Sequence, residues 1–182
     1  MLNICQVSLE RDIPIILENF YSFKKIYKSF RIFIICPASE INVFKKKLNY
    51  DEFKFINEND LISIQEFKAI YDDLSVFNKH QELLKNRLSW YYQQVLKLSF
   101  IVQFVERNRE NILIWDADTL ILKKIEFFKN EKSIPYGTLF EFHKHYFKTN
   151  NSIIGELPKY FISSLVQFVA LSVSEHYFFC KN

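Results

Sequence analysis

Two aspartates stand one residue apart in a strongly apolar part of the chain. They are Asp116 and Asp118, in the stretch "ILIWDADTLIL". An ionised carboxylate in apolar surroundings is costly unless it is paired or coordinates a metal. In an extended segment, residues i and i+2 point to the same side, so the two carboxylates would face one way and Ala117 the other. Such a pair of hard oxygen ligands suits Mg²⁺ or Mn²⁺. The pattern predicts a divalent metal site; the alternative is a surface turn whose carboxylates only cap backbone amides.

A long predicted helix, residues 89–108, precedes the aspartates. Apolar residues recur in it at steps of three and four, which predicts one core-facing stripe: Tyr91, Val95, Leu98, Val102 and Val105. Roughly 100° away on the helical wheel, a second face gathers Trp90, Gln93, Gln94 and Lys97. This second face is either an ordinary amphipathic boundary or a polar ledge that faces a ligand.

Two histidines follow the aspartates in the stretch "FEFHKHYF". His143 and His145 lie two residues apart, and imidazole changes charge near neutral pH, so it serves in proton transfer and in contacts to anions. The alternative is a surface loop that carries two ordinary histidines.

The order of predicted strands and helices supplies the frame for these residues. Four strand-like runs are "LNICQVS", "FRIFIIC", "EFKFIN" and "NILIW". A helical pattern that starts after Asp12, a plausible N-cap, separates the first two runs, and "ASEINVFKKKL" predicts a helix after the second. This alternation predicts a single α/β domain over residues 1–182, with a mostly parallel central sheet and flanking helices. Open sheets of this class place their sites at the carboxyl ends of the strands, where Asp116 falls.

Composition excludes several classes of protein. The chain has only 2 glycines, and neither GxGxxG nor GxxxxGK[ST] occurs, which argues against a glycine-rich phosphate loop. The net charge of +3 comes mainly from scattered lysines that predict solvated faces, so no nucleic-acid partner is expected. A weaker alternative is attraction to an anionic membrane surface or substrate. The 3 widely spaced cysteines and the absence of a signal peptide predict a cytoplasmic location.

Three stretches in a fixed order carry a resemblance to a known family. "WYYQQVLKL", "ILIWDADTLILKKIEFF" and "FEFHKHYF" together resemble the bacterial surface-polysaccharide (capsule and lipooligosaccharide) glycosyltransferases of GT-A fold, which carry a DxD motif. The opening "SLERDIPIILENFYSF" also looks like their first strand and helix. "DADTL" superficially matches the haloacid-dehalogenase phosphatases as well. Their motif normally closes the first strand and needs acidic ligands downstream, whereas here it follows the fourth run and no aspartate follows Asp118.

The resemblance implies transfer of a sugar from a nucleotide diphosphate donor to a glycan or glycolipid acceptor, and it allows peripheral association with the inner membrane. Asp116 and Asp118 would hold Mn²⁺ or Mg²⁺. The donor-binding residues implied are Ser8, Asp12, Trp90, Gln94 and Lys97, with Lys97 pairing with phosphate as a point charge. His143 and His145 would be the catalytic contacts to the diphosphate or the acceptor.

The last part of the chain departs from that family. Its members continue through an acceptor-side segment with a histidine and a methionine-rich strand or helix, whereas this chain has "FISSLVQFVALSVSEHYFFC", and its sole methionine is Met1. Either the acceptor-side part is incomplete or the family is more diverse. An incomplete chain would be an inactive, nucleotide-sugar-binding remnant, because donor binding can survive a loss that abolishes transfer.

Overall fold

Four parallel strands form the centre of the structure, a computed structural model that describes residues 1–76, 88–129, 132–134 and 177–179. The spatial order of these strands is β3-β2-β1-β4, and a short strand β7 adds to β4 in the antiparallel direction. A separate two-stranded hairpin joins β5 and β6. The strands are β1 (Leu2–Val7), β2 (Phe30–Cys36), β3 (Phe53–Asn57), β4 (Ile112–Ile114), β5 (Phe128–Lys129), β6 (Lys132–Ser133) and β7 (Tyr177–Phe179).

Helices cover both faces of this sheet. They are α1 (Ile13–Ile26), α2 (Ile41–Lys47), α3 (Ile64–Val76) and α4 (Leu88–Asn108), with 3₁₀ turns at Glu10–Asp12 and Glu58–Asp60. Successive side chains of β2 divide between two cores: Ile32 and Ile34 join the cluster under α1 and α2, whereas Phe33 and Ile35 join the cluster under α3 and α4. A parallel sheet buried on both faces explains why its strands read as continuous apolar runs.

The strand order reverses between β1 and β4. β2 and β3 follow β1 on one side, and β4 returns to the other side, where Cys5 lies opposite Ile114. Because β1 and β4 run parallel, both carboxyl ends open at the same edge of the sheet. Ligands of open α/β sheets bind in the crevice at such a reversal.

The α/β class and the four neighbouring parallel strands confirm the prediction from sequence, with strand ends within two residues. The segment that the strand and helix patterns left unassigned, after β3, contains α3. A capping box starts this helix: Ser63 Oγ accepts from the Glu66 amide at 3.1 Å, and Glu66 Oε2 accepts from the Ser63 amide at 2.9 Å.

The prediction of which side of α4 faces the core is wrong. Leu98 and Val102 are 37% and 54% exposed, and the other three members of the stripe are only partly buried. The helix is apolar on both sides, and the larger side chains take the interior because they remove more apolar surface from water than valine does. The buried residues of α4 are Tyr92, Leu96, Lys97, Phe100, Ile101 and Phe104.

None of the helices within the described ranges combines the length and apolar character needed to cross a bilayer.

Candidate functional site

Residues Asp116–Thr119 form a tight turn, here called the DxD turn, just beyond β4. The Trp115 amide still donates to the Cys5 carbonyl at 3.0 Å, and the Thr119 amide then donates back to the Asp116 carbonyl at 3.1 Å. The expectation of an extended segment at the two aspartates is therefore wrong. Asp116 is partly buried, whereas Asp118 is exposed to solvent.

Two buried side chains hold the DxD turn in place. The Trp115 indole N–H donates to the Thr119 carbonyl at 2.6 Å, and its ring packs edge-on against Phe23 and Phe127. Asn19 of α1 donates through Nδ2 to the Ala117 carbonyl at 2.6 Å. The turn is thus anchored both to the core beneath it and to the first helix.

Lys97 of α4 reaches the turn from the other face of the sheet. Its Nζ lies 2.5 Å from Asp116 Oδ1, and the lysine side chain is only 2% exposed, against 28% for Asp116. A buried ammonium needs such a partner, because its desolvation is otherwise uncompensated. The prediction that Lys97 faces the DxD turn is confirmed, and the structure adds that a carboxylate is its partner.

The other members of the polar ledge predicted on α4 are Trp90, Gln93 and Gln94. The structure records no contact between them and the DxD turn. Gln93 approaches the Val7 carbonyl with Nε2 at 3.5 Å, so it lies over the end of β1. Gln94 is half-buried. Trp90 is exposed and packs edge-on against Tyr91, with ring centroids 4.9 Å apart. The ledge therefore brings Lys97 to the candidate site and leaves Trp90 at its margin.

Cys5 lies fully buried on β1, on the α4 side of the sheet. Burial raises the pKa of its thiol to about 12; the positive charge of Lys97 opposes that rise and the charge of Asp116 adds to it. The thiol therefore stays protonated at neutral pH and is no nucleophile.

The loop after β1 holds the two other predicted donor-binding residues. Ser8 is buried, its amide donates to the Ile35 carbonyl at 3.0 Å, and its Oγ has no hydrogen-bond partner among the described residues. Asp12 directly precedes α1, but its carboxylate accepts from the Leu9 amide at 2.8 Å and does not cap the helix. Asp12 therefore holds the expected N-cap position, but its side chain makes no capping hydrogen bond to α1, because its carboxylate binds the Leu9 amide in the preceding 3₁₀ turn.

A cavity of about 750 Å³ opens between the Glu10–Asp12 turn and α2. Glu10 and Glu40 line it, and Lys47 donates to Glu10 Oε1 at 3.1 Å. This cavity does not include the DxD turn, and its two carboxylates are balanced by Arg11 and Lys47, so its lining has no net charge that favours a diphosphate. We therefore place the candidate site at the turn and not in this cavity.

The DxD turn offers oxygen ligands for a cation without enclosing one. In the part of the chain that the structure describes, no group of three or more His, Cys, Asp or Glu side chains could hold a metal. Asp116 Oδ1 is engaged by Lys97, which leaves its second oxygen and the exposed Asp118 carboxylate. Mg²⁺ and Mn²⁺ need an octahedral shell, so water and phosphate oxygens would have to complete it. The turn by itself therefore supplies too few ligands for such a cation. His143 and His145 lie outside the described residues.

Two buried polar residues near the site were missed in the sequence. Asn19 occupies a position on the apolar face of α1, three residues after Ile16 and four before Phe23. Gln6 interrupts the apolar run of β1, and both atoms of its amide lack a partner in the described ranges. A polar residue on an apolar stripe was the available signal in both cases, because burying it is costly unless it has a role or a partner.

Comparison with models of known protein families gave no match, and comparison with curated proteins gave none.

Proposed function

We propose that this chain is a metal-dependent glycosyltransferase of GT-A-like fold that acts in the cytoplasm. It transfers a sugar from a nucleotide diphosphate donor to a glycan or glycolipid acceptor. The observation that supports this function best is the pairing of Lys97 with Asp116 at 2.5 Å. The pair lies beyond the carboxyl end of β4, beside β1, where the strand order reverses. It brings a phosphate-binding cation and a metal-binding carboxylate to one point.

The chemistry of the reaction explains why both charges are needed. Transfer joins the acceptor hydroxyl oxygen to the anomeric carbon, breaks the bond from that carbon to the diphosphate and releases the hydroxyl proton to solvent or to the departing phosphate. Negative charge therefore builds on the departing β-phosphate oxygen. Asp116 and Asp118 would hold Mn²⁺ or Mg²⁺, which would supply Lewis-acid neutralisation of that charge. Lys97, once it turns from Asp116, would donate to the same diphosphate as a point charge.

The remaining predicted residues complete the proposal. Ser8 and Asp12 contact the nucleotide from the loop after β1, whereas Trp90 and Gln94 contact the donor from α4. Ser8 is buried, and the absence of a hydrogen-bond partner for its Oγ among the described residues supports a ligand contact at that loop. His143 and His145 are proposed to contact the diphosphate or the acceptor.

Peripheral contact with an anionic membrane surface is part of the proposal, because a glycolipid acceptor would reside there. Leu122 follows the DxD turn closely in sequence and is 83% exposed. Lys123 and Lys124 come directly after it and are also exposed. An exposed leucine next to two lysines offers a bilayer an apolar side chain together with positive charge.

Calorimetric titration with UDP-sugars, with and without Mn²⁺, tests the proposal. Asp118→Asn keeps the shape of the side chain and removes one charge, so we expect it to abolish the Mn²⁺-dependent part of donor affinity. Asp51→Asn is the matched control, because Asp51 is an exposed aspartate just before the amino end of β3. Equal donor binding by wild type and Asp118→Asn in Mn²⁺ would contradict a metal site at the turn.

A turnover assay separates an active enzyme from an inactive remnant. Release of nucleoside diphosphate that depends on both Mn²⁺ and an acceptor supports transfer. Donor binding without any release supports a catalytically inactive nucleotide-sugar-binding protein.

A further inference from the structure

Lys97 and Asp116 form a contact that a divalent cation would have to disturb. Lys97 Nζ lies against Asp116 Oδ1, and the lysine is almost completely buried, so the positive charge stays beside the carboxylate that a metal would use. Lys97 and the two aspartates of the turn carry a formal charge of −1 together. A divalent ion bound there alone would meet a nearby ammonium and only a small excess of negative charge.

We propose that Lys97 is an internal counter-ion that keeps divalent cations off Asp116 until a diphosphate binds. The inference depends on the proposed function, because it concerns the same metal and donor. A diphosphate supplies oxygen ligands for the metal and negative charge that offsets both cations. Metal and diphosphate then bind as a pair, and neither binds tightly alone.

The lysine side chain is suited to this exchange. An ammonium has three N–H donors, and the contact with Asp116 Oδ1 uses one of them. The flexible four-carbon stem allows the ammonium to turn from Asp116 towards a phosphate oxygen by rotation of the side chain. The anchors of the DxD turn, Asn19 and Trp115, hold backbone carbonyls and leave the Asp116 carboxylate free to change partner.

The test compares Lys97→Met with wild type, using Mn²⁺ alone and then inorganic pyrophosphate in the presence of Mn²⁺. Methionine is similar in length and carries no charge. Without the counter-ion, Mn²⁺ alone should bind about tenfold more tightly, whereas pyrophosphate should bind about tenfold more weakly, within the usual range for coupled sites. The two opposite shifts are measured by the electron paramagnetic resonance signal of free Mn²⁺ and by calorimetry.

Two further variants distinguish charge from structure. The double variant Lys97→Met/Asp116→Asn removes the carboxylate as well, so it should lose the gain in Mn²⁺ affinity. Lys97→Gln can still donate a hydrogen bond to Asp116, and it should show the same opposite shifts if the methionine variant does not fold. A merely structural lysine would weaken both ligands together in every variant.

The outcomes separate this inference from the proposed function. If wild type binds Mn²⁺ and pyrophosphate synergistically but both neutral variants bind Mn²⁺ alone no better than wild type, the counter-ion role is overturned and the proposed site stands. If wild type shows no joint binding of Mn²⁺ with either pyrophosphate or a UDP-sugar, the proposed function itself fails, and the inference fails with it.

Discussion

Lys97 is a charged side chain that the interior accommodates only because of one partner. Its ammonium is desolvated, and Asp116 is the carboxylate within reach in the described structure. The two aspartates of the DxD turn therefore differ in their importance for stability, although they look equivalent in the sequence. One neutralises a buried charge, and the other projects into solvent.

Asp116→Asn should destabilise the protein, because it leaves the Lys97 ammonium buried without a counter-charge. We expect a loss of about 2–3 kcal/mol, below the value for a fully buried pair, since Asp116 is 28% exposed. Asp118→Asn should change the free energy of unfolding by no more than about 0.5 kcal/mol. Chemical denaturation of both variants measures the difference, and equal losses would argue against a stabilising pair.

Cys5 predicts how stability depends on alkaline pH. Its pKa is about 12 in the folded protein, mainly through burial, against 9.0 for an ordinary thiol. Between these values the unfolded thiol ionises while the folded one stays protonated, so stability falls as the pH rises from 9 to 12. Burial also raises the pKa of Cys36 and of Tyr92 to about 12, so both add to the fall above their ordinary values of 9.0 and 10.0.

Cys5→Ala should reduce this pH slope by up to about one proton per molecule, while Cys36 and Tyr92 maintain their own contributions. Denaturation midpoints of wild type and variant across the alkaline range test it. An unchanged slope would mean that the Cys5 thiol ionises normally in the folded state.

Helix α4 connects the core with the candidate site. Its buried face packs Phe100 and Phe104 against Phe33 of β2, with ring centroids 5.3 and 5.1 Å apart. The same face carries Lys97 one turn earlier, towards the carboxyl end of β4. Packing of the aromatic side chains therefore determines where the ammonium lies.

Truncating a side chain should destabilise the protein more on the buried face of α4 than on its exposed face. Phe100→Ala should cost about 3–5 kcal/mol, because it leaves a cavity beside Phe33. Val102→Ala on the opposite, exposed face should stay within about 0.5 kcal/mol. Urea denaturation of the two variants checks the orientation of the helix. A larger loss of stability in Val102→Ala than in Phe100→Ala would support the core-facing stripe predicted from sequence.

Residues from both faces of the sheet meet at the DxD turn, at one edge of the sheet. α1 and α4 lie on opposite faces, yet Asn19 of the first and Lys97 of the second both contact the DxD turn. The exposed Leu122 and its two neighbouring lysines follow the turn in the chain. If this segment touches a bilayer, the proposed donor site would lie near the lipid surface that presents the acceptor.

Binding to vesicles tests the membrane contact. The protein should co-sediment with vesicles that contain an anionic phospholipid more than with purely zwitterionic ones, because Lys123 and Lys124 favour negative charge. Leu122→Ser should lower partitioning about fivefold to tenfold, since the leucine side chain no longer inserts. Leu98→Ser, at an exposed leucine of α4, is the matched control. Equal partitioning of wild type and Leu122→Ser would exclude this segment as the contact.

Local pattern was enough to predict the four parallel strands, most of the helices and the position of Asp116 beyond the end of a strand, but not the short strands β5, β6 and β7. Strand-like runs and helical spacing depend only on neighbouring residues, so they can be identified from the sequence alone. Helical spacing also placed Lys97 on a polar face of α4, and the resemblance to DxD glycosyltransferases implied that this face lies towards the aspartates.

Packing between distant residues decided the rest. The orientation of α4 was ambiguous in sequence because both of its sides are apolar, and only the bulk of its aromatic residues against the sheet selected one side. The link from Asn19 to Ala117 spans 98 residues, and that from Lys97 to Asp116 spans 19. Neither has a local signature, because hydrogen bonds and ion pairs between separate elements exist only once the cores on both faces of the sheet have brought those elements together. Sequence alone thus identified two candidate carboxylates, and the tertiary structure decided which one neutralises a buried lysine.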